Sequence, residues 1–190
     1  MSVKKEAKRM PTKRKELKKT VIEYLNSHNT MTVATAHNDI PWAATVFYAN
    51  DGFILYFISN PSISLHCQNI ARNPRVAATV YEDYPLKDPD DWRKVKGIQV
   101  EGIAEMLTAE EEISQAVKVY ARKYPFTAAY LKSMVSFPRV VTFLSKLANR
   151  LGFMPNFTAS SDNTFYKMTP TKVWFVDNEV SFEKRQEVIF

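Results

Sequence analysis

The spacing of apolar and polar residues along the chain changes most clearly between Gly52 and Val80. Residues 53–58 form an apolar, aromatic run bounded by turn residues on both sides, which predicts a strand. Residues 76–81 are rich in β-branched and small side chains and follow the stop signal Asn73-Pro74, which predicts a second strand. The stretch between them predicts a polar turn and a short helix.

This short helix is predicted to begin at Pro61, because proline suits the first turn of a helix. Its apolar face follows helical spacing through Ile63, Cys67 and Ile70. A separate polar face holds Ser62, His66 and Asn69.

Three serines and one imidazole cluster around the first turn of this helix: Ser59, Ser62, Ser64 and His66. A helix start has unpaired N–H groups and a partial positive charge, so it can seat a phosphate. Capping serines and a solvated histidine would give the same pattern, and for the motif alone that interpretation is favoured. The order of the surrounding elements is therefore needed to choose between the two.

The rest of the chain predicts further strands and helices. A helix beginning at Thr12 has one apolar stripe, formed by Leu17, Val21, Ile22 and Leu25. Strands are predicted at residues 31–36, 41–48, 97–107, 164–168 and 172–177, with a bulge at Gly102. A capping box at Thr108 and Glu111 predicts a helix that ends at Tyr124-Pro125, and residues 127–152 predict another. Strands joined by tight turns favour an antiparallel sheet or barrel.

Composition excludes several functional classes. The 190 residues suffice for one medium domain, and no apolar run is long enough for a membrane span or a signal peptide. The single Cys67 excludes an internal disulfide and a multi-cysteine metal site, which favours the cytoplasm. Dinucleotide-fold, P-loop, zinc-helix and nucleophile-elbow motifs are all absent from the sequence. We therefore expect any chemistry to come from a cofactor.

The positive charge of the chain is concentrated at its N-terminus. Residues 1–19 hold nine Lys/Arg and two Glu, so of the formal net charge of +6 they contribute +7 and the rest −1. The body is nearly neutral and the basic arm has no interleaved aromatic residues. Nucleic-acid binding is therefore a disfavoured hypothesis.

Several motifs in this order resemble the pyridoxamine 5′-phosphate oxidase-like family of flavin-binding split barrels. They are MTVATA, IPWAATVFY, LYFIS, S-x-H followed by QNIARNPRVA, GIQVEG and FYKMTPTKVWFVDN. The serine-x-histidine form resembles a little-characterised branch more than the true oxidases of pyridoxamine phosphate. The resemblance implies a mainly β fold with flanking helices, a six-stranded antiparallel split β-barrel, and a homodimer with FMN in clefts between the subunits.

The resemblance also implies roles for individual residues. Its motifs place the flavin ring and ribityl chain along Ala44, Thr45 and Val46, followed by Ile58 and Ser59. They place the phosphate at Ser64, Leu65 and His66. Gln99 would reach the ring, and Trp174 would wall the pocket from the second subunit. No residue is assigned a catalytic role, and no metal is expected.

The chain also departs from the family pattern. The family's phosphate-binding Arg on the second strand is missing, and His66 stands where the family has Lys. The family's closing Arg-rich motif is missing as well, so oxidation of pyridoxamine phosphate is not expected. Arg72 and Arg75 are near in sequence, but a helix end and a strand edge explain them.

Two functional hypotheses follow from the resemblance. One is an FMN-dependent oxidoreductase with a small-molecule substrate or electron donor; the other is a non-catalytic module that binds flavin, deazaflavin or haem. The predicted organisation is a basic leader and helix at 1–30, a flavin-binding barrel at 31–178 with a helical insertion at 127–163, and a tail at 179–190.

Overall fold

A computed structural model describes residues 3–128, 131, 163–182 and 184–190, with side chains described from residue 13 onwards. Three α-helices are described: α1 (Val3–Ser27), α2 (Leu65–Arg72) and α3 (Glu110–Lys123). The strands are β1 (Thr30–His37), β2 (Ile40–Asp51), β3 (Ile54–Ser59), β4 (Arg75–Tyr81), β5 (Lys96–Met106), β6 (Thr164–Asp177) and β7 (Gln186–Glu187). The helix predicted at 127–152 and most of the insertion predicted at 127–163 lie outside the described residues.

The strands form a closed antiparallel barrel. The sheet runs in the order β3-β2-β1-β4-β5-β6-β7, and β3 also pairs with β6, which closes six strands on themselves. The six-stranded split barrel is therefore confirmed. The closure is uneven, because β2 pairs with β3 only over residues 48–51, whereas β3 continues along β6 as far as Ser59.

The barrel interior is filled by alternate residues of the strands, as the period of two requires. Fully buried members include Val33, Leu55, Phe57 and Ile98. Helix α1 adds Val21 and Leu25 to the same core. A second, smaller apolar cluster joins α3 to β3 and β6, which places α3 on the outside of the barrel beside the open part of the β2–β3 pair.

The predicted helix starts are wrong in all three cases. Helix α1 begins at Val3, so Thr12 lies inside it, and α3 begins after Ala109, an N-cap residue whose side chain cannot accept a capping bond. Helix α2 begins at Leu65, because residues 61–63 form a turn in which Asn60 Oδ1 accepts a bond from the Ser62 N–H. The N-terminal residues of a helix depend on such local bonds more than on apolar spacing.

The faces predicted for α2 also need correction. Ile63 precedes the helix and is 80% exposed, so it is no part of the apolar face. His66 and Asn69 are predicted on a polar face, but both are buried: His66 lies beside Phe57 and Ser59 of β3, and Asn69 lies where α2 packs on β1. There the Asn69 side chain donates to Thr35 Oγ1 at 3.1 Å.

The bulge predicted at Gly102 is confirmed as a break in register. On β5 the pairing with β6 shifts between Glu101 and Gly102, and the extra residue, Thr171, lies on β6. Residues 164–168 and 172–177, predicted as two strands, form one continuous strand that accommodates Pro170 at this bulge.

The C-terminal residues pair with the barrel. Gln186 and Glu187 lie opposite Phe175 and Trp174, the Val188 N–H donates to the Val173 carbonyl at 2.9 Å, and the Val188 side chain is buried. This pairing fixes the preceding residue, Arg185, beside β6.

Helix α3 is fastened to the end of α1 by Lys123. Its ammonium donates to the carbonyls of Leu25 at 2.9 Å and His28 at 2.5 Å, and lies 3.8 Å from the Tyr48 ring centroid. Burial lowers the pKa of Lys123 to about 8, whereas the carbonyls and the ring favour the ammonium, so the group is charged at pH 7 on either account.

We expect Lys123→Met to lower the free energy of unfolding at pH 7 by about 2 kcal/mol, because two carbonyls lose a charged donor. The matched control is Lys118→Met on the exposed face of the same helix, which should change it by less than about 0.5 kcal/mol. Urea denaturation measures both; equal effects of the two substitutions would contradict the fastening role.

Candidate functional site

A cleft lies where β2 and β3 separate. It has a volume of about 720 Å³ and is bordered by both strands, α2, α3 and the residues after α3. The described residues that line it are Thr30, Thr45, Val46, Phe47, Ile58, Ser59, His66, Tyr120, Tyr124, Phe126, Thr127, Leu131 and Asn163. None of these is Asp, Glu, Lys or Arg, so the described walls carry no permanent charge.

The β2 backbone offers hydrogen-bonding groups to this cleft at alternate residues. The Tyr48 N–H donates to Asn29 O on the β1 side, so by antiparallel alternation Val46 and Ala44 also direct their backbone groups towards β1. Thr45 and Phe47 therefore direct theirs towards the cleft. The Phe47 carbonyl accepts from Tyr120 Oη at 2.8 Å, which leaves the Thr45 backbone as the ligand-facing position.

This alternation distinguishes among residues 44–46, which were all predicted to lie along the flavin. The side chains of Ala44 and Val46 are partly buried and pack against the barrel core, although Val46 still borders the cleft. Ala44 is not among the lining residues, whereas Thr45 contributes both its backbone and its exposed side chain.

A chain of three polar side chains lies at the α2 end of the cleft. Ser59 Oγ donates to Ser64 Oγ at 3.1 Å and lies 2.8 Å from His66 Nε2. With the Ser59 proton directed at Ser64, the histidine is the donor of the second bond, so the neutral ring carries its proton on Nε2. Burial lowers the pKa of His66 below its usual value of 6.5, so at pH 7 this group is a neutral donor.

The first turn of α2 adds backbone donors to this corner. Ser64 is the N-cap residue and its side chain makes no capping bond to the helix. The Cys67 and Gln68 N–H groups donate to Ser64 O and make the first bonds of the helix. The N–H groups of Leu65 and His66 precede them, so they have no acceptor within the helix. The Leu65 side chain is 41% exposed and turned from the core.

Gln99 and Trp174 lie on a different part of the barrel surface. They are direct partners in the β5–β6 register and border a shallow groove of about 290 Å³ with Arg185. The groove and the cleft share the outer sheet face, where Thr32 Oγ1 lies 3.5 Å from Thr45 Oγ1. Three strand spacings, about 14 Å, separate Thr45 from Gln99. Within one subunit, Thr45, Ser59 and His66 therefore lie together in the cleft, and Gln99 and Trp174 lie together in the groove.

Sequence reasoning missed the wall contributed by α3. Tyr120 and Tyr124 are four residues apart, so they share a helix face, and both border the cleft. The Tyr124 hydroxyl donates to Tyr48 O at 2.8 Å and to Asn29 O at 3.1 Å, so these tyrosines turn ring surface to the cleft. Beyond them Phe126 is 82% exposed at the rim. The spacing was a usable signal, but which strand the helix covers was not in the sequence.

The described residues fit FMN in part. An apolar cleft with an outward-facing backbone at Thr45 suits a planar ring with a polar edge. The corner formed by Ser59, Ser64, His66 and the start of α2 suits an oxyanion, but through neutral donors alone. The cation expected for a phosphate is absent from the described walls.

No described helix is long and apolar enough to cross a membrane. In the same part of the chain, no group of three or more His, Cys, Asp or Glu side chains is arranged to hold a metal ion.

Comparisons with solved structures show the same fold at low sequence identity. An FAD-binding protein from Mesorhizobium loti is 19% identical, with 80% of this chain and 88% of that chain covered and a TM-score of 0.52. HutZ, the heme storage protein from Vibrio cholerae, is 13% identical, with 81% and 90% covered and a TM-score of 0.56. A heme binding protein from Mycobacterium smegmatis is 17% identical, with 87% of this chain but only 56% of that chain covered and a TM-score of 0.56.

No curated protein matches the sequence. The family model described as pyridoxamine 5′-phosphate oxidase matches residues 17–177, which include the C-terminal part of α1, α2, α3 and the six barrel strands. The chain belongs to the pyridoxamine 5′-phosphate oxidase family.

Proposed function

We propose that this protein binds FMN at the cleft and acts as a flavin-dependent oxidoreductase on a small molecule. One observation carries the proposal: the separation of β2 from β3 places an outward-facing backbone at Thr45 next to an oxyanion corner at Ser59, Ser64 and His66. A ring with a polar edge and a phosphate on a flexible chain would meet both.

Bound FMN would supply the acceptance and donation of electrons. The residues of this chain would bind and orient it. Thr45 would hydrogen-bond the polar edge of the ring, and Ile58, Tyr120 and Tyr124 would exclude water from its neighbourhood. Ser59, Ser64, the Leu65 amide and His66 would hold the phosphate.

We propose further that the protein acts as a homodimer in which Gln99 and Trp174 complete the cleft of the partner subunit. The separation of these two residues from Thr45 within one subunit supports this arrangement. Sedimentation equilibrium tests it, with a dimer expected at the concentrations used for FMN binding. A monomer that binds FMN with full affinity would contradict it.

The direct experiment is a titration of the purified protein with FMN, followed by flavin fluorescence and by the absorbance spectrum. We expect saturable binding at one FMN per subunit and bleaching of the bound flavin by a nicotinamide nucleotide under anaerobic conditions. The variant Phe182→Ala, which removes an exposed aromatic residue outside the cleft, should bind FMN like the unmodified protein. Protein that binds neither FMN nor a deazaflavin would overturn the proposal.

A second candidate is haem binding, and one observation favours it. His66 is a buried, neutral imidazole at the edge of an apolar cleft, and one axial histidine suffices for haem. Haem titration separates the two: a sharp Soret band that His66→Ala abolishes, in protein that ignores FMN, would favour this candidate.

A further inference from the structure

A second cavity lies between α2 and the ends of β5 and β6. It has a volume of about 470 Å³ and shares no lining residue with the cleft. Along α2 it is bordered by Cys67 with Ala71 and by Gln68 with Arg72, and the members of each pair are one helical turn apart. The cavity is therefore large enough for a small organic molecule, at a place that the proposed function does not use.

A buried phenol borders this cavity and has one weak partner. Tyr166 is 2% exposed, and its ring stacks on Phe57 with the two centroids 5.1 Å apart, which fixes its orientation. Among the described residues, its hydroxyl has only the Cys67 thiol as a hydrogen-bonding partner. A thiol is a weak donor and a weak acceptor, so the hydroxyl can still make a stronger bond to an oxygen atom of a ligand. Burial raises the pKa of Tyr166, so at pH 7 the phenol holds its proton and can donate it to such a bond.

An arginine without a carboxylate partner borders the same cavity. Arg72 is the exposed last residue of α2, and no ion pair or hydrogen bond joins its guanidinium to another described residue. Glu105, the acidic residue of the described lining, is neutralised by Lys167 at 3.0 Å. The last carbonyls of a helix carry about half a negative charge, which is less than the full charge of the guanidinium. This part of the cavity therefore attracts an anion.

The rest of the lining is mainly apolar. Ile70 and Ala104 are buried, and Pro61, Pro74 and Met106 add further apolar surface. A ligand that fits needs an apolar body, a negative charge for the guanidinium and an oxygen atom for the phenol. A ring suits the body better than a flexible chain, because a rigid ligand loses less conformational freedom when it binds.

We propose that this cavity binds an aromatic carboxylate, with the carboxylate at Arg72 and a ring hydroxyl or carbonyl group at Tyr166. The site is separate from the cleft, so it goes beyond the proposed function and does not depend on FMN binding. It gives α2 a second role, because the same helix contributes His66 to the cleft.

The test is a calorimetric titration of the full chain with three probes. They are 4-hydroxyphenylacetate, phenylacetate, which lacks the hydroxyl, and 4-hydroxyphenylacetamide, which lacks the charge. The variants are Arg72→Met, which removes the cation, and Tyr166→Phe, which removes the hydroxyl and retains the ring that stacks on Phe57. The matched control is Arg75→Met, an exposed arginine on β4 outside the cavity.

We expect Arg72→Met to weaken the binding of 4-hydroxyphenylacetate by about tenfold and to leave the amide probe unchanged. Tyr166→Phe should weaken the same acid by about fivefold and leave phenylacetate unchanged. Arg75→Met should bind all three probes like the unmodified protein. The proposal is wrong if Arg72→Met and Arg75→Met lose equal affinity for the acid, or if the unmodified protein binds none of the probes.

Cys67 gives a second readout, because it is the one cysteine of the sequence and it borders the cavity. A bound probe should slow the alkylation of Cys67 by iodoacetamide, and 4-hydroxyphenylacetate should slow it most. A probe that binds without slowing alkylation lies elsewhere, which would overturn the proposal. FMN, if it binds in the cleft, should not displace the probe. Failure to bind FMN would instead overturn the proposed function and leave the comparison of the three probes intact.

Discussion

Gly102→Ala is expected to destabilise the protein by about 3 kcal/mol. A Cβ atom on Gly102 would lie 2.5 Å from the Thr169 carbonyl oxygen, 3.1 Å from Pro170 Cα and 3.1 Å from Met168 Cε. Two of these atoms belong to the backbone of β6, which is paired on this side with β5, so neither can move without breaking the register. Overpacking against groups that cannot move costs about 1–3 kcal/mol or more.

The same strand contains a matched control. A Cβ on Gly97 would make ordinary contacts, at 3.4 Å from the Val80 carbonyl oxygen and 3.5 Å from Tyr81 Cβ. Gly97→Ala should therefore be neutral or slightly stabilising, because alanine reduces the entropy of the unfolded chain. Urea denaturation of both variants measures the difference. Gly102→Ala as stable as Gly97→Ala would mean that β6 can shift at the bulge.

The strands and the bulge were predictable because each depends on local pattern. Alternation over residues 31–36 predicted a half-buried strand, residues 97–107 predicted a long strand, and Gly102 within the second of these marked the bulge. Gln99 was expected on an alternating strand, and it does lie on the outer face. These features depend on a period of two and on a missing side chain, both of which are present in the sequence.

The environment of α2 was not predictable in the same way. His66 and Asn69 alternate with apolar residues, so their spacing indicated a solvated polar face. Packing of this short helix on β1 buries both faces, and Asn69 gains Thr35 as a partner 34 residues away. The burial of Asn69 follows from this contact between distant segments, whereas His66 lies against Phe57 and Ser59 of the preceding strand β3. A helix of eight residues contains too little periodicity to reveal such a contact.

Arg185 shows the same limit at the other end of the chain. Its place beside Gln99 depends on the pairing of a two-residue strand with β6, at a sequence separation of 86 residues from Gln99. Two residues carry no measurable alternation. The absence of the family's phosphate-binding Arg was evident from the sequence, but the place of Arg185 beside Gln99 could be found only from the fold.

His66→Lys is expected to tighten FMN binding by about tenfold to a hundredfold at pH 8. The proposed phosphate corner holds hydroxyls, amide groups and a neutral imidazole, whereas a lysine would add a permanent charge. A hydrogen bond to a charged group contributes about 1.5–3 kcal/mol, and each 1.4 kcal/mol is tenfold in affinity. Riboflavin, which lacks the phosphate, should bind with unchanged affinity.

The pH dependence of the unmodified protein tests the same contact without a substitution. Burial lowers the pKa of His66 in the free protein, and a phosphate dianion beside Nε2 would raise it in the complex. A group with a higher pKa in the complex takes up a proton on binding, so FMN affinity should increase as the pH falls from 8 towards 6.5. The phosphate titrates near 6 and is still mainly a dianion at pH 6.5, so the imidazole supplies most of the change.

His66→Gln separates this effect from any general effect of pH. Glutamine keeps a donor near Ser59 but cannot take up a proton, so FMN affinity in this variant should be nearly constant over the range. Riboflavin affinity should be constant in both proteins. If His66→Lys and His66→Gln bind FMN equally at pH 8, and FMN follows riboflavin at every pH, the phosphate does not lie at His66.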